Sequence, residues 1–538
     1  MMSIHSHKLK SKAILATCFL FYGFSSSFAQ KSPEKFAQTI KADDLKKHLT
    51  FIASDSLKGR ETGTAEQKVA AQYIAAHFDA CGIKGIVGKD SSHFQSVDLV
   101  KRGWGDFYAK AGSKKYHYLE DFIASSTASF SKDEKTPLVF AGYGIEEDNF
   151  QSYKDLDVTG KFVIILDGEP RNADSTFSIS GAKTPSKWGL SGGWKEKMYL
   201  AQRKGAIGLL IISTTSIEEF EKLVKQRQVM LRRFGNARFG FRAEGEPQIS
   251  NFATLNISQA MAIDLLKTNK ETLDSLISPS TRTLVKSTFS PEALSLKIER
   301  VTTPVETYNV LGFLEGTDKK EEVLVISSHY DHIGVTDGKI NNGADDDGSG
   351  TVAVLELAQA FGEAAKAGNR PRRSILFMTV TGEEKGLLGS EYYVNNPIIP
   401  LKQTICDLNI DMVGRTDNAH KKAKDYVYVI GSDKLSSELH ESLLKTNKQY
   451  TKMELDFQFN DPHDPNRFYY RSDHYNFAKN NIPVAFFFNG VHEDYHRPTD
   501  DVEKIEFNKL EKRAKLVFYL AWDLANRDNR IVVDSNKE

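Results

Sequence analysis

Five short segments in the C-terminal half of the chain bring imidazole and carboxylate side chains together at a density that suits metal chemistry. They are His329-Tyr330-Asp331, Asp345-Asp346-Asp347 among the glycines of Asn342–Gly350, Glu383-Glu384 after Thr381-Gly382, Asp411 within Asn409–Gly414, and Asp494-Tyr495-His496-Arg497-Pro498. Three adjacent aspartates and two adjacent glutamates gathered at one edge would repel one another until some took up protons. Divalent cations remove that conflict. Mixed imidazole and carboxylate donors suit zinc, and a bridging carboxylate can hold two ions ~3.5–4 Å apart. Taken singly, each segment has a plainer reading: a surface His/Asp pair, a turn or calcium loop, a solvated helix start, a strand-end cap, a loop. Their common position after apolar runs is what joins them.

Those runs are predicted strands. Glu322–Ser328, Ser374–Val380, Ile405–Ile410 and Ile482–Phe488 are compact and β-rich, as expected of strands buried on both faces. Thr351–Ala364 reads as a helix with Val354, Leu355, Ala358 and Phe361 on one face. Ligands of open α/β sheets bind at the carboxyl ends of strands, where these segments fall. Upstream, Ser32 to about Ile86 reads as helical, with Val69, Tyr73, Ile74, His77 and Phe78 at helical spacing and Gly82 as its stop. Between Gln95 and Pro291 the texture changes to short strands and turns. Pro137–Phe140, Phe162–Leu166 and Leu209–Ile212 are candidate strands, with a helix near Lys197–Lys204. The expected fold is α/β: a mixed, mostly parallel central sheet flanked by helices, with a smaller β-rich inserted domain. The expected divisions are 1–29, an export signal; 30–95, an N-terminal helical part of the main domain; 96–296, the insert; 297–530, the main domain; and 531–538, a tail.

Lys plus Arg and Asp plus Glu are both 71, so no net field steers nucleic acid or an anionic membrane, and no nucleic-acid partner is expected. The start of the chain has the layout of a secretory signal. Lys8, Lys10 and Lys12 precede an apolar run from Ala13 to Phe24, then Ser27-Phe28-Ala29. The run is shorter than the ~20 residues a membrane span needs. Leu15-Ala16-Thr17-Cys18 resembles a lipoprotein box less well, because Thr17 fits poorly and the apolar run continues beyond Cys18. The mature protein is therefore expected in a periplasm or outside the cell, without a membrane span. Cys81 and Cys406, the cysteines left after cleavage, make no disulfide framework, and free buried thiols are expected.

The segments resemble the motifs of peptidase family M28, a zinc aminopeptidase family: Ser328-His329-Tyr330-Asp331, Gly343-Ala344-Asp345-Asp346, Gly382-Glu383-Glu384, Asn409-Ile410-Asp411-Met412 and Tyr495-His496. The resemblance implies two zinc ions and peptide substrates. It assigns one ion to His329, Asp346 and Asp411, and the other to Glu384 and His496, with Asp346 bridging. It makes Glu383 the general base, Asp331 the partner of the second His329 ring nitrogen, and Tyr495 either an oxyanion donor or a packed aromatic. Arg471-Ser472-Asp473-His474 is also similar to the family. Its aromatic surroundings are expected to line the substrate cleft, with Asp473 bracing its loop or contacting substrate. Val158–Ile165 and Lys204–Ile211 resemble a protease-associated domain. The implied activity is that of an aminopeptidase, on the strength of the acidic site. A carboxypeptidase using Arg467 or Arg471, a single-zinc glutaminyl cyclase and a non-catalytic binding protein are the alternatives. Oligomeric state is left open.

Overall fold

The computed structural model describes residues 32–124, 130, 134–148, 150–213, 217–234, 238–242, 252–277, 289–422 and 425–535. The expected export signal at 1–29 lies outside these residues, as does the end of the expected tail.

Four strands form the centre of an eleven-stranded sheet: Arg373–Val380, Lys319–His329, Thr404–Ile410 and Val484–Phe488, parallel and adjacent in that order. Every residue of Arg373–Val380, Thr404–Ile410 and Val484–Phe488 is buried, as their predominantly apolar sequences suit. Antiparallel neighbours extend the sheet on both sides, Leu294–Leu314 beside Arg373–Val380 and Tyr426–Ile430 beside Val484–Phe488. The parallel order is thus concentrated at the centre. Because the four central strands run the same way, their carboxyl ends share one edge.

Helices Ala42–Ile52, Ala65–Cys81, Gly350–Lys366 and Phe507–Asn526 cover one face and contribute to the largest apolar core. Thr64 caps Ala65–Cys81 by accepting from the Gln67 N–H, and Gly82 ends it in the left-handed region. The face it buries is Ala70, Ala71, Ile74, Ala75 and Phe78, while Val69 is 44% exposed. The helical period is therefore right and the buried stripe lies one position away from Val69. Gly350–Lys366 buries Val352, Ala353, Leu357 and Ala360 as well as the predicted face, since it lies between the sheet and other helices. There Phe361 packs against Phe377, Phe518 and Trp522. Truncating it to alanine would cost about 3–5 kcal/mol.

Two long strands, Phe94–Ala111 and Leu294–Leu314, pair antiparallel from Phe94↔Val310 to Ala111↔Leu294, with one irregularity between Trp104 and Phe107. They begin in the main sheet and reach a second, five-stranded sheet made of Phe122–Ala124, Ala253–Ile257, Gly208–Ile212, Phe162–Leu166 and Leu138–Phe140. Ala109, Ala111, Leu294, Leu296 and Ile298 pack into the core of that smaller unit. Strand Arg238–Phe241 returns from it to pair with Phe94–Ala111. Phe239 and Phe241 there pack against Leu388 and Tyr392 of the main unit. Among the described residues, no helix is long and apolar enough to cross a membrane. Cys81 and Cys406 are free and buried.

Candidate metal centre

His329 is the last residue of its strand, Asp411 follows Ile410 directly, and Glu383-Glu384 follow Val380 after a two-residue turn. Asp346 lies in the loop entering Gly350–Lys366. This loop requires glycine at two points. Gly343 has φ +56°, and a Cβ there would lie 2.2 Å from Asp346 O and 2.5 Å from the His332 ring. A Cβ on Gly350 would lie 2.3 Å from Ile410 O.

Asp346 faces two ways. Its Oδ1 is 3.4 Å from His329 Nε2, and its Oδ2 is 3.1 Å from His496 Nε2. On the first side His329 Nε2 is 3.6 Å from Asp411 Oδ1 and 3.8 Å from Glu383 Oε2. On the second, His496 Nε2 is 3.2 Å from Glu384 Oε2. Two groups of donors lie close enough to share an ion, His329 with Glu383 and Asp411, and His332 with Asp346 and Glu384. Both ring nitrogens of His332, Asp346 Oδ2 and Glu384 Oε1 are buried and make no hydrogen bond of proper geometry, although His332 Nδ1 approaches Glu384 Oε1 to 2.8 Å. Buried polar atoms left so are costly unless something else satisfies them. A set of imidazoles and carboxylates with such orphans fits zinc.

Electrostatics follows the same geometry. Burial opposes charge on His496, yet Glu384 and Asp346 outweigh it and raise the imidazole to about 10. Burial and Asp346 would push Glu384 up, but His496 and His332 hold it at about 2. Burial raises Glu383 well above the usual carboxylate range, against the pull of His329. Burial, with Asp346 and Glu384, also raises Tyr495, so its hydroxyl keeps its proton.

The surrounding contacts place the remaining expected residues. His329 Nδ1 lies 3.0 Å from the Asp331 main-chain oxygen, whereas the Asp331 carboxylate is 3.9 Å away. That carboxylate instead accepts from Thr62 Oγ1 and the Glu383 N–H. Asp331 therefore meets the imidazole through its carbonyl, because its side chain is turned to the Glu383 turn. Asp473 is fully buried and accepts from Ser390 Oγ, which is a bracing contact. Tyr495 OH accepts from Arg471 Nη2 at 3.3 Å. Arg467 packs on Tyr470.

Several neighbours escaped the sequence reading. His332 Nδ1 is 2.8 Å from Glu384 Oε1. Asp500 accepts the main-chain N–H groups of Asp345 and Asp346. Arg60, fully buried, donates to the carbonyls of Ile52, Tyr330, Asn342 and Gly343, tying the loops after His329 and before Asp346 to the N-terminal helices. Only the His329-x-x-His332 spacing hinted at any of these in the chain itself.

Two cavities open at the centre. A small one of about 30 Å³ is lined by Asp346, Glu383, Asp411, Met412, Phe468, Arg471, Phe486 and Tyr495. A larger one of about 850 Å³ runs from Glu384 and His496 past Lys385 and Arg497 to Arg238 and Phe239 of the strand Arg238–Phe241.

Residues 309–521 match the model of peptidase family M28. Over this region the chain is similar to peptidase family M28. A protein of Arthroderma otae named "Probable leucine aminopeptidase" is 32% identical over 214 residues, 38% of this chain and 55% of its own length. A "Probable glutamate carboxypeptidase" of Arthroderma benhamiae is 38% identical over 111 residues, 20% of this chain and 14% of its own. The chain spans about half the length of the curated aminopeptidase relatives it matches. An aminopeptidase structure from Aneurinibacillus sp. strain AM-1 aligns over 94% of this chain and 98% of its own, at 20% identity and a TM-score of 0.49. The M28 region contains all five metal-facing segments and both walls of the small cavity.

Proposed function

We propose that the chain is an exported zinc exopeptidase that releases N-terminal residues from peptides. The observation that carries this reading is Asp346, whose two oxygens face His329 on one side and His496 on the other. In this reading His329, Asp346 and Asp411 hold one zinc ion, and Asp346, Glu384 and His496 hold the second. Zinc held there would supply Lewis acidity, making water more acidic and a carbonyl more electrophilic.

The side chains then have distinct tasks. Glu383, 3.8 Å from His329, accepts the proton of the attacking water and returns it to the leaving nitrogen. Tyr495, held protonated, donates toward the developing oxyanion. The acidic walls favour a free α-ammonium on the substrate. Met412, Phe468 and Phe486 give the small cavity an apolar wall against which the first side chain would pack. The larger cavity receives the rest of a short peptide, with residues 96–296 supplying its far wall as a protease-associated-like insert.

Arg471 on the small cavity supports a second reading, in which the cleft grips a terminal carboxylate and the enzyme is a carboxypeptidase. A panel of short peptides separates the two. Cleavage abolished by N-acetylation and retained on C-amidation supports the aminopeptidase; the reverse supports the carboxypeptidase.

A further inference from the structure

A chain of hydrogen bonds runs from the middle of the sheet to Asp411. Asp407, Asn409 and Asp411 alternate along Thr404–Ile410 and its first residue beyond, so their side chains share one sheet face. Ser327 pairs with Asn409 across the neighbouring strand. Ser327 Oγ lies 2.7 Å from Asp407 Oδ1 and 2.9 Å from Asn409 Oδ1. Asn409 Nδ2 is 2.8 Å from Ser472 Oγ, which is 2.7 Å from Asp411 Oδ2. Asp407, Ser327 and Asn409 are fully buried, and Ser472 is 1% exposed.

Counting hydrogens along this chain fixes its direction. The argument rests on Asp411 acting as a metal ligand, as proposed above, because a carboxylate that holds a cation is ionised and only accepts. Ser472 has a single hydroxyl hydrogen, which must go to Asp411. Its oxygen then needs a donor, so Asn409 presents its NH₂ group there and its carbonyl oxygen to Ser327. Ser327 has one hydrogen for two facing oxygens, Asp407 Oδ1 and Asn409 Oδ1, and giving it to Asn409 satisfies that carbonyl. The contact between Asp407 and Ser327 is then a hydrogen bond only if Asp407 carries the hydrogen. We propose that Asp407 is a neutral carboxylic acid at neutral pH, and that it positions the metal ligand Asp411 through a one-way relay of Ser327, Asn409 and Ser472.

Independent observations agree. The other oxygen of Asp407 has no partner, an arrangement that an ionised buried carboxylate would not tolerate. Burial, opposed in part by Ser327, moves the group up to about 8. The relay sends four donors in one direction and ends on the Asp411 oxygen away from His329. Asp407 touches neither substrate nor metal, so it is a positioning residue.

The test is infrared difference spectroscopy of the wild-type holoenzyme minus Asp407→Asn at neutral pH, paired with zinc competition against a chromophoric chelator. One protonated-carboxyl stretch lost in the variant is expected. Asp407→Asn should retain zinc within about twofold, because its amide N–H donates in place of the acid, while Ser327→Ala should weaken retention about tenfold. No protonated-carboxyl band, or Ser327→Ala holding zinc as tightly as wild type, overturns the proposal. Should Ser327→Ala not fold, the infrared comparison decides alone. Wild-type protein that binds no zinc would overturn the peptidase reading, and the band would still decide the state of Asp407.

Discussion

His332 Nδ1 lies 2.8 Å from Glu384 Oε1, deep beneath the ring of His496. The contact leaves Glu384 Oε2 facing His496, so His332 orients the carboxylate while His496 supplies the outer donor. His496→Ala is predicted to lose one of two zinc ions per chain. His332→Ala should keep both, with the weaker ion bound about tenfold less tightly. Isothermal titration of metal-stripped variants distinguishes these outcomes. Equal loss in both variants would place His332 among the ligands.

Glu383→Gln removes the proton acceptor while keeping size and polarity. The predicted result is a fall in kcat of about 10²- to 10⁴-fold, with KM and zinc content little changed. Steady-state kinetics on one free-amine substrate, with metal analysis of the same sample, checks it. An unaltered kcat would remove Glu383 from the chemistry.

Phe239 of the inserted unit lies 5.4 Å from Lys385 Nζ, next to Glu384 in the chain, and both line the larger cavity. Phe239→Ala is predicted to raise KM for tripeptides about fivefold, the equivalent of ~1 kcal/mol. Aminoacyl anilides that end near the metals should be unaffected. Equal effects on long and short substrates would mean that the insert does not touch the peptide.

Stability should depend on pH through Glu356 and His48, which meet 3.5 Å apart under the helix Ala42–Ile52. Burial raises Glu356 from 4.5 to about 8, so the unfolded chain releases its proton first. Its contribution is whole below pH 4.5 and declines as pH rises to 8. Burial, aided by His77, lowers His48 from 6.5 to about 4, so its contribution is whole above 6.5 and declines as pH falls to 4. The two slopes oppose one another between pH 4.5 and 6.5. Of this pair, only the Glu356 decline remains between 6.5 and 8, at about 1.4 kcal/mol per pH unit as an upper bound and in addition to that of Asp407. Glu356→Gln should make the fall in Tm over that interval shallower, as measured by thermal melts from pH 6.5 to 8; a slope equal to wild type would contradict the assignment.

The central strands were legible because burial on both faces leaves largely apolar runs, as in Ile375–Val380, with Asp407 and Asn409 the polar exceptions in Ile405–Ile410. The metal-facing residues were legible because strand ends concentrate them at one edge. Phe94–Ala111 and Leu294–Leu314 were not read as long strands. Away from the central strands they carry exposed polar residues between Arg300 and Glu306, and Pro304 interrupts the β pattern. Val69 fitted the helical period but faces solvent, since the period does not select which stripe meets the sheet. Asp500 and Arg60 act through main-chain groups distant in sequence, which no local pattern reveals. The alternation of Asp407, Asn409 and Asp411 was visible, but its meaning depends on Ser327 and Ser472 from two other segments.

The most direct test of the two-ion centre is zinc per chain, measured by elemental mass spectrometry on purified protein and on Asp346→Ala. Two zinc ions in wild type and loss of both, or retention of one weakly held ion, in Asp346→Ala are predicted. One ion or none in wild type, or two ions undisturbed in the variant, would contradict Asp346 as the shared ligand and the two-metal account with it.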